Sequence, residues 1–302
     1  MHGGLLGIEE MDRAGIEAIL ARAKDFQPLQ SQSLKKLDTL RGKMIVNLFY
    51  EASTRTRTSF EIAAKRLGAD AVSITASGSS VSKGESLVDT LNTLAAMRPD
   101  AIVMRHAASG APHFLARYLT TPIINAGDGT HEHPTQALLD ARTILDRRGA
   151  LEGLRVAIIG DIAHSRVARS NVHLLGKFGV EIVLCGPASL LPRELADLAP
   201  GVRLTTDIRE AIRDSDVIMM LRVQLERQHE ASFPASEYFQ FYGLRLEHLD
   251  LAKPDAIVMH PGPINRGREL SSEVADFTRS VILNQVENGI AVRMAVLERM
   301  IG

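Results

Sequence analysis

Ser53-Thr54-Arg55-Thr56-Arg57 alternates hydroxyls with guanidiniums along one short run. At a helix start, Ser53 would be the cap and the first backbone N–H groups would point outward at the positive helix end. Thr54 and Thr56 add donors, and Arg55 adds a planar fork that matches phosphate oxygens. Each charge-assisted hydrogen bond of this kind contributes about 1.5–3 kcal/mol. A capped helix with solvated arginines would read the same, but the dense alternation favours phosphate. His133-Pro134-Thr135-Gln136 starts another helix, with Pro134 in the tolerated first turn. His133 can donate to a carbonyl oxygen or simply cap the helix, and Gln136 can bind an amide through both ends. His131 reads as a loop histidine. The hydroxyl-rich stretch from Ser77 to Glu85 reads as a surface loop, or as an arm bringing Lys83 to an anion.

These groups need elements to hold them. Short apolar runs predict strands at Met44–Phe49, Ala101–Met104, Pro122–Asn125, Val156–Ile159, Ile182–Leu184, Val217–Leu221 and Ala256–Met259. Segments of helical periodicity lie between them, so the pattern predicts α/β architecture with parallel sheets. Helices are predicted at Phe60–Leu67, at Asp12–Lys24, and near the end at Ser280–Glu287 and Ile290–Met300, with Asn288-Gly289 as a break. In open α/β sheets ligands bind beyond the carboxyl ends of strands. Polar residues gather there repeatedly: Glu51 and the run 53–57, Arg105-His106, Gly127 to Gln136, Asp161 with His164-Ser165-Arg166, Arg222-Val223-Gln224, and His260-Pro261-Gly262-Pro263. With several arginines among them, they predict an anion-binding cleft.

Other chemistries fit less well. The turn Gly160-Asp161-Ile162-Ala163-His164-Ser165 lacks the later glycines of a dinucleotide fingerprint. A P-loop is absent, and the dispersed histidines and lone Cys185 give no metal-ligand spacing. With 302 residues, 45% hydrophobic, the chain suits roughly two domains. Near-neutral charge and 4% aromatic residues argue against nucleic-acid binding. No apolar run approaches the ~20 residues of a membrane span, nothing resembles a secretory signal, and the single cysteine suits a reducing cytoplasm.

In order and spacing, these motifs resemble the aspartate/ornithine carbamoyltransferase family over essentially the whole chain. They are Ser-Thr-Arg-Thr-Arg at 53–57, Lys-Gly-Glu at 83–85, Met-Arg-His at 104–106, Asn-Ala-Gly-Asp-Gly at 125–129, His-Pro-Thr-Gln at 133–136, Arg-Val-Gln at 222–224 and His-Pro-Gly-Pro at 260–263. The last two resemble the aspartate branch, although some aspartate enzymes carry leucine where Gly262 stands. Arginines also suit a dicarboxylate acceptor better than ornithine.

The resemblance implies two doubly wound domains, each with a mostly parallel sheet flanked by helices. A carbamoyl-phosphate-binding domain would span 1–132 with a C-terminal helix at 285–302, and an aspartate-binding domain 133–284. It implies carbamoyl transfer from carbamoyl phosphate to L-aspartate, the committed step of pyrimidine (UMP) synthesis, with no cofactor and no metal. Ser53, Thr54, Arg55, Thr56 and Arg105 would hold phosphate; Thr56, Arg105 and His133 would face the carbonyl oxygen. Gln136 and the Gly262-Pro263 segment would hold the carbamoyl NH₂, and Lys83, Arg166, Arg222 and Gln224 the aspartate. The family forms homotrimers with shared sites, so Ser79 and Lys83 would come from the neighbouring subunit, and a dihydroorotase or dihydroorotase-like partner is an option. Glu51 would pair with Arg166 and Arg227. Rival readings are a carbamoyltransferase for another acceptor, an inactive scaffold homologue and, more distantly, a dinucleotide oxidoreductase.

Overall fold

The computed structural model describes residues 4–75, 87–223 and 235–302. It divides into two compact units, Met1–Arg142 with Glu287–Gly302, and Thr143–Val286. The described strands form two five-stranded sheets, one in each unit, with every pairing parallel.

The first unit contains β1 (Gly4–Leu5), α1 (Arg13–Phe26), β2 (Met44–Phe49), α2 (Thr54–Arg66), β3 (Asp70–Thr75), α3 (Leu87–Ala96), β4 (Ala101–His106), α4 (Ala111–Ala116) and β5 (Ile123–Asp128). Its strand order is β1-β5-β4-β2-β3. Val46 and Leu48 of β2, Ile102 and Met104 of β4 and Ile123 of β5 pack with Leu91, Leu94 and Leu115 from the crossover helices. Asp12 caps α1, its Oδ1 accepting from Gly15 N at 2.8 Å. Ile16, Ile19, Leu20 and Ala23 form the buried face, as their spacing predicts.

The second unit contains β6 (Arg155–Ile159), α6 (Arg166–Gly176), β7 (Glu181–Cys185), β8 (Val202–Thr205), α7 (Ile208–Ile212), β9 (Val217–Met220), α8 (Ala235–Tyr242), α9 (Leu246–Leu249), β10 (Ile257–Met259) and α10 (Ser272–Ala275). Its order is β10-β9-β6-β7-β8. Ala157, Ile159, Val183, Ile218, Met220 and Val258 line its core with Tyr238 and Leu270. Burial pushes the Cys185 thiol up to about 12, so this cysteine is an inert core side chain. The division between units falls inside two helices, α5 (Pro134–Arg148) and α11 (Ile282–Ile301).

Three strands, β1, β3 and β8, escape the apolar-run criterion, and all three lie at sheet edges. β3 and β8 are exposed or half-buried throughout. An edge strand meets neighbours on one side only, so it need not read as a continuous apolar run. The expected break at Asn288-Gly289 is also absent, because α11 runs unbroken through both residues. Glycine costs a helix interior about 1 kcal/mol, but here it makes room. A Cβ at Gly289 would stand 2.7 Å from Arg293 Nη1, which donates to Gly289 O at 3.1 Å and to Ser59 Oγ at 2.9 Å.

The same carboxylate device pins the amino-terminal end of each sheet. Asp100, just before β4, accepts from Met44 N of β2 at 2.8 Å and from Lys43 Nζ at 3.0 Å. Asp216, just before β9, accepts from Arg155 N of β6 at 2.9 Å, Arg148 Nη2 at 2.6 Å and Lys253 Nζ at 2.8 Å. Asp216 is 1% exposed. Burial by itself would raise its pKa, but the bonds from Lys253 and Arg155 hold it below the ordinary carboxylate value. A depressed folded-state pKa means the contribution is present above the unfolded value and is lost as pH falls through the folded one. Asp216→Asn is therefore expected to cost about 1–3 kcal/mol at pH 7, since it removes the buried charge that Arg148, Lys253 and the Arg155 N–H all meet. The difference from the parent in urea unfolding should shrink as pH drops below about 4.

Candidate functional site

Each strand order reverses once, and the reversal opens a crevice beyond the carboxyl ends of two adjacent strands. In the first unit that switch lies between β2 and β4; in the second it lies between β6 and β9. Ser53–Arg57 and Arg105 lie at the ends of β2 and β4, and Asp161, Arg166 and Arg222 follow β6 and β9.

At the first switch, Ser53 occupies the N-cap position of α2 with an extended backbone, but its side chain makes no capping bond. This corrects the capping role expected of it: the hydroxyl does not turn back onto the first-turn N–H groups. Thr54 and Arg55 are exposed and Thr56 is buried. Arg105 lies within β4 instead of after it, 8% exposed. Its Nη2 donates to Glu51 Oε1 at 2.6 Å and its Nη1 to Ala126 O at 3.3 Å. His106 Nδ1 accepts from Ala108 N at 2.9 Å.

His133 is buried immediately before α5, and its carbonyl accepts from Gln136 N at 2.9 Å. Gln136 Nε2 donates to Asp140 Oδ1 at 2.9 Å, which fixes the side-chain amide one turn along the helix. The turn leading into His133 is held by buried carboxylates that sequence reasoning missed. Asp128 accepts from Asn125 Nδ2 at 2.8 Å and Glu132 N at 3.1 Å through Oδ1, and from Gly110 N at 2.6 Å through Oδ2. The Glu132 carboxylate accepts from Ile8 N at 2.9 and 2.8 Å and from Glu9 N at 3.0 Å. Gly7 is the available signal, because a Cβ there would lie 2.5 Å from Glu132 Oε1. A glycine far away in sequence does not announce a carboxylate.

At the second switch, Gly160 takes φ +146° and a Cβ on it would lie 2.8 Å from Leu221 Cβ, so glycine lets the ends of β6 and β9 approach. Buried Asp161 has Oδ1 2.8 Å from His164 Nδ1. Ser165 caps α6 by accepting from Ala168 N at 3.1 Å, which sets buried Arg166 in the first turn. Arg222 follows β9, half-buried. Fully buried Glu269 joins this strand end to the 263–265 segment, accepting from Val223 N at 3.2 Å, Asn265 N at 2.8 Å and Asn265 Nδ2 at 2.8 Å. Gly262 has φ +67° and precedes Pro263 through a cis bond. That left-handed φ is one that glycine adopts without strain.

Ser79, Lys83, Gln224 and Arg227 lie outside the described residues. Among the described residues no helix is long and apolar enough to cross a membrane.

Two family models divide the chain between them. Residues 4–146 match "Aspartate/ornithine carbamoyltransferase, carbamoyl-P binding domain", and residues 152–300 match "Aspartate/ornithine carbamoyltransferase, Asp/Orn binding domain". The chain belongs to the aspartate/ornithine carbamoyltransferase family. It is 90% identical over 302 residues, all of both chains, to the aspartate carbamoyltransferase catalytic subunit of Solibacter usitatus (strain Ellin6076). It is 58% identical to that of Syntrophotalea carbinolica over 98% of this chain and 94% of the relative. Aspartate transcarbamoylase from Trypanosoma cruzi, in complex with N-(phosphonacetyl)-L-aspartic acid, aligns with TM-score 0.90 at 33% identity, covering 98% of this chain and 95% of that one. Ornithine carbamoyltransferase from Pyrococcus furiosus aligns with TM-score 0.88 at 31% identity, covering 98% and 96%. The fold is therefore common to both branches, and the acceptor is decided by side chains.

Because Ser53 makes no capping bond, Ser53→Ala should change the unfolding free energy by less than the ~1 kcal/mol typical of a lost N-cap. Thermal unfolding of the two proteins checks this, and a shift as large as that of Asp12→Ala at α1 would contradict it.

Proposed function

We propose that this chain transfers the carbamoyl group of carbamoyl phosphate to the amino group of L-aspartate, giving N-carbamoyl-L-aspartate and phosphate. The observation that carries the reading is the chemistry of the two switch points. One gathers hydroxyls and guanidiniums suited to phosphate, and the other sets Arg166 and Arg222 at adjacent strand ends, suited to a dicarboxylate. The full-length similarity to aspartate enzymes supports it.

In this reading Ser53, Thr54, Arg55, Thr56 and Arg105 hold the phosphate at the start of α2, where the first-turn N–H groups add partial positive charge. Glu51 neutralises Arg105 through the 2.6 Å bond, so an arriving phosphate exchanges one anionic partner of the guanidinium for another. Thr56, Arg105 and His133 face the carbamoyl carbonyl oxygen, whose negative charge grows as the amine attacks. Donors fixed in advance at such an oxygen are worth about 10²–10³ in rate each. Gln136 and the Gly262-Pro263 backbone hold the NH₂ group. Arg166 and Arg222 take the aspartate carboxylates together with Gln224 and Lys83. The attacking nitrogen forms the new C–N bond, the C–O bond to phosphate breaks, and the departing phosphate takes the amine proton. Catalysis then rests mostly on positioning two anions that repel each other in water.

The reading extends to a carbamoyl-phosphate-binding domain at 1–132 with the C-terminal helix 285–302, an aspartate-binding domain at 133–284, and a cytoplasmic homotrimer acting in pyrimidine synthesis. Ser79 and Lys83 would enter the site from the neighbouring subunit, and a dihydroorotase or a related inactive chain is the partner class to test.

Purified chain supplied with carbamoyl phosphate should form ureido product from L-aspartate and not from L-ornithine. N-(phosphonacetyl)-L-aspartate should inhibit it, and Arg55→Ala or His133→Ala should lower kcat by about 10²–10³. Product from ornithine would overturn the acceptor assignment while leaving the phosphate half standing. Absence of product from either, with no inhibitor binding by calorimetry, would overturn the whole reading.

A further inference from the structure

His113, Asp128 and His131 take no part in the chemistry above, yet each offers one ligand atom and these atoms lie within 4.8 Å of one another. His113 comes from α4; Asp128 ends β5 and His131 sits in the turn that follows. His131 Nδ1 stands 3.1 Å from Asp128 Oδ2. Two ligand atoms on one tetrahedral ion, with bonds of about 2.0–2.2 Å, stand roughly 3.3–3.6 Å apart, so this pair would have to widen by only a few tenths of an ångström. Asp128 is fully buried; its Oδ1 accepts from Asn125 and Glu132, and its Oδ2 accepts from Gly110 N at 2.6 Å while standing beside His131. The imidazoles meet edge to face, centroids 5.3 Å apart.

His113 adds an independent sign. Its Nε2 lies 3.0 Å from Glu10 Oε1, while its Nδ1 is buried with no hydrogen-bond partner among the described residues. When Nε2–H is donated to a carboxylate, the lone pair resides on Nδ1. That tautomer, backed by a carboxylate, is the one that metal-ligating histidines adopt.

We propose that His113, Asp128 and His131 bind a divalent transition-metal ion, Zn²⁺ or Co²⁺, with Glu10 supporting His113. Two imidazoles and one carboxylate suit these ions better than Mg²⁺ or Ca²⁺, which prefer oxygen. The ion takes the place of the proton between His131 and Asp128, and that proton leaves to solvent. Three protein ligands leave a further position for water. The ion would tie α4 to the turn that leads into His133, a stabilising role separate from the carbamoyl-transfer reading.

The test uses tag-free, chelator-treated protein titrated with Co²⁺, followed by visible d–d absorbance and equilibrium dialysis. About one ion per chain should bind saturably at sub-millimolar concentration. His113→Ala and His131→Ala should each weaken binding at least about a hundredfold, and Glu10→Gln about tenfold. Zn²⁺ should raise the melting temperature of the parent and not that of His131→Ala. Should a histidine variant fail to fold, Glu10→Gln keeps the test open, because that side chain is 59% exposed. Absence of saturable binding by the parent, or undiminished binding by the variants, would overturn the proposal.

Discussion

A parallel strand can rejoin its sheet only through a crossover, and when successive crossovers build outward in both directions the strand order must reverse somewhere. At the reversal the two connecting segments leave in opposite directions, and a crevice opens that no other part of the sheet offers. Both sheets obey this constraint, between β2 and β4 and between β6 and β9. Much of the chain's polar chemistry stands at these strand ends. The helix beginning at Thr54, the β4 residue Arg105 and the turn before α5 meet one crevice's strands, while Arg166 and Arg222 flank the other.

The crevices put charge where water is scarce, and buried carboxylates make that tolerable. Arg105 is buried but shares a 2.6 Å bond with Glu51. Glu132 and Glu269 are themselves buried, and each is met by backbone N–H groups from distant segments. A buried carboxylate whose oxygens meet several N–H donors costs little, whereas the same group unpaired would be expensive. These residues act as staples: Glu132 binds the 8–9 segment to the turn before His133, and Glu269 binds the end of β9 to the loop after β10. The opposite sheet ends use Asp100 and Asp216 in the same way, so each sheet is fixed at both ends by anions on main-chain donors.

Arg293 shows a cost of this architecture. It is 4% exposed, and burial lowers its pKa to about 10. It bonds Ser59 Oγ and Gly289 O and lies 5.2 Å over the Phe60 ring. A cation packed behind α2 places positive charge on the far side of the helix whose start carries the proposed phosphate ligands.

What the sequence determined by itself was periodic or local. Continuous apolar runs marked the strands covered on both faces, helical spacing marked α1 and α2, and the residue types at strand ends pointed to an anion. Each of those signals lies within a few residues, where chain geometry ties spacing to position. What only the tertiary structure decided was everything set by distant partners. β1, β3 and β8 are strands because a neighbour pairs with them, not because they are apolar. Gly289 lies inside a helix because Arg293 needs its space. Ser53 leaves α2 uncapped, Glu132 holds main-chain groups more than a hundred residues away, and His131 reads as an ordinary loop histidine until folding brings His113 beside it. Burial and partnership are properties of the assembled chain, and no local spacing encodes them.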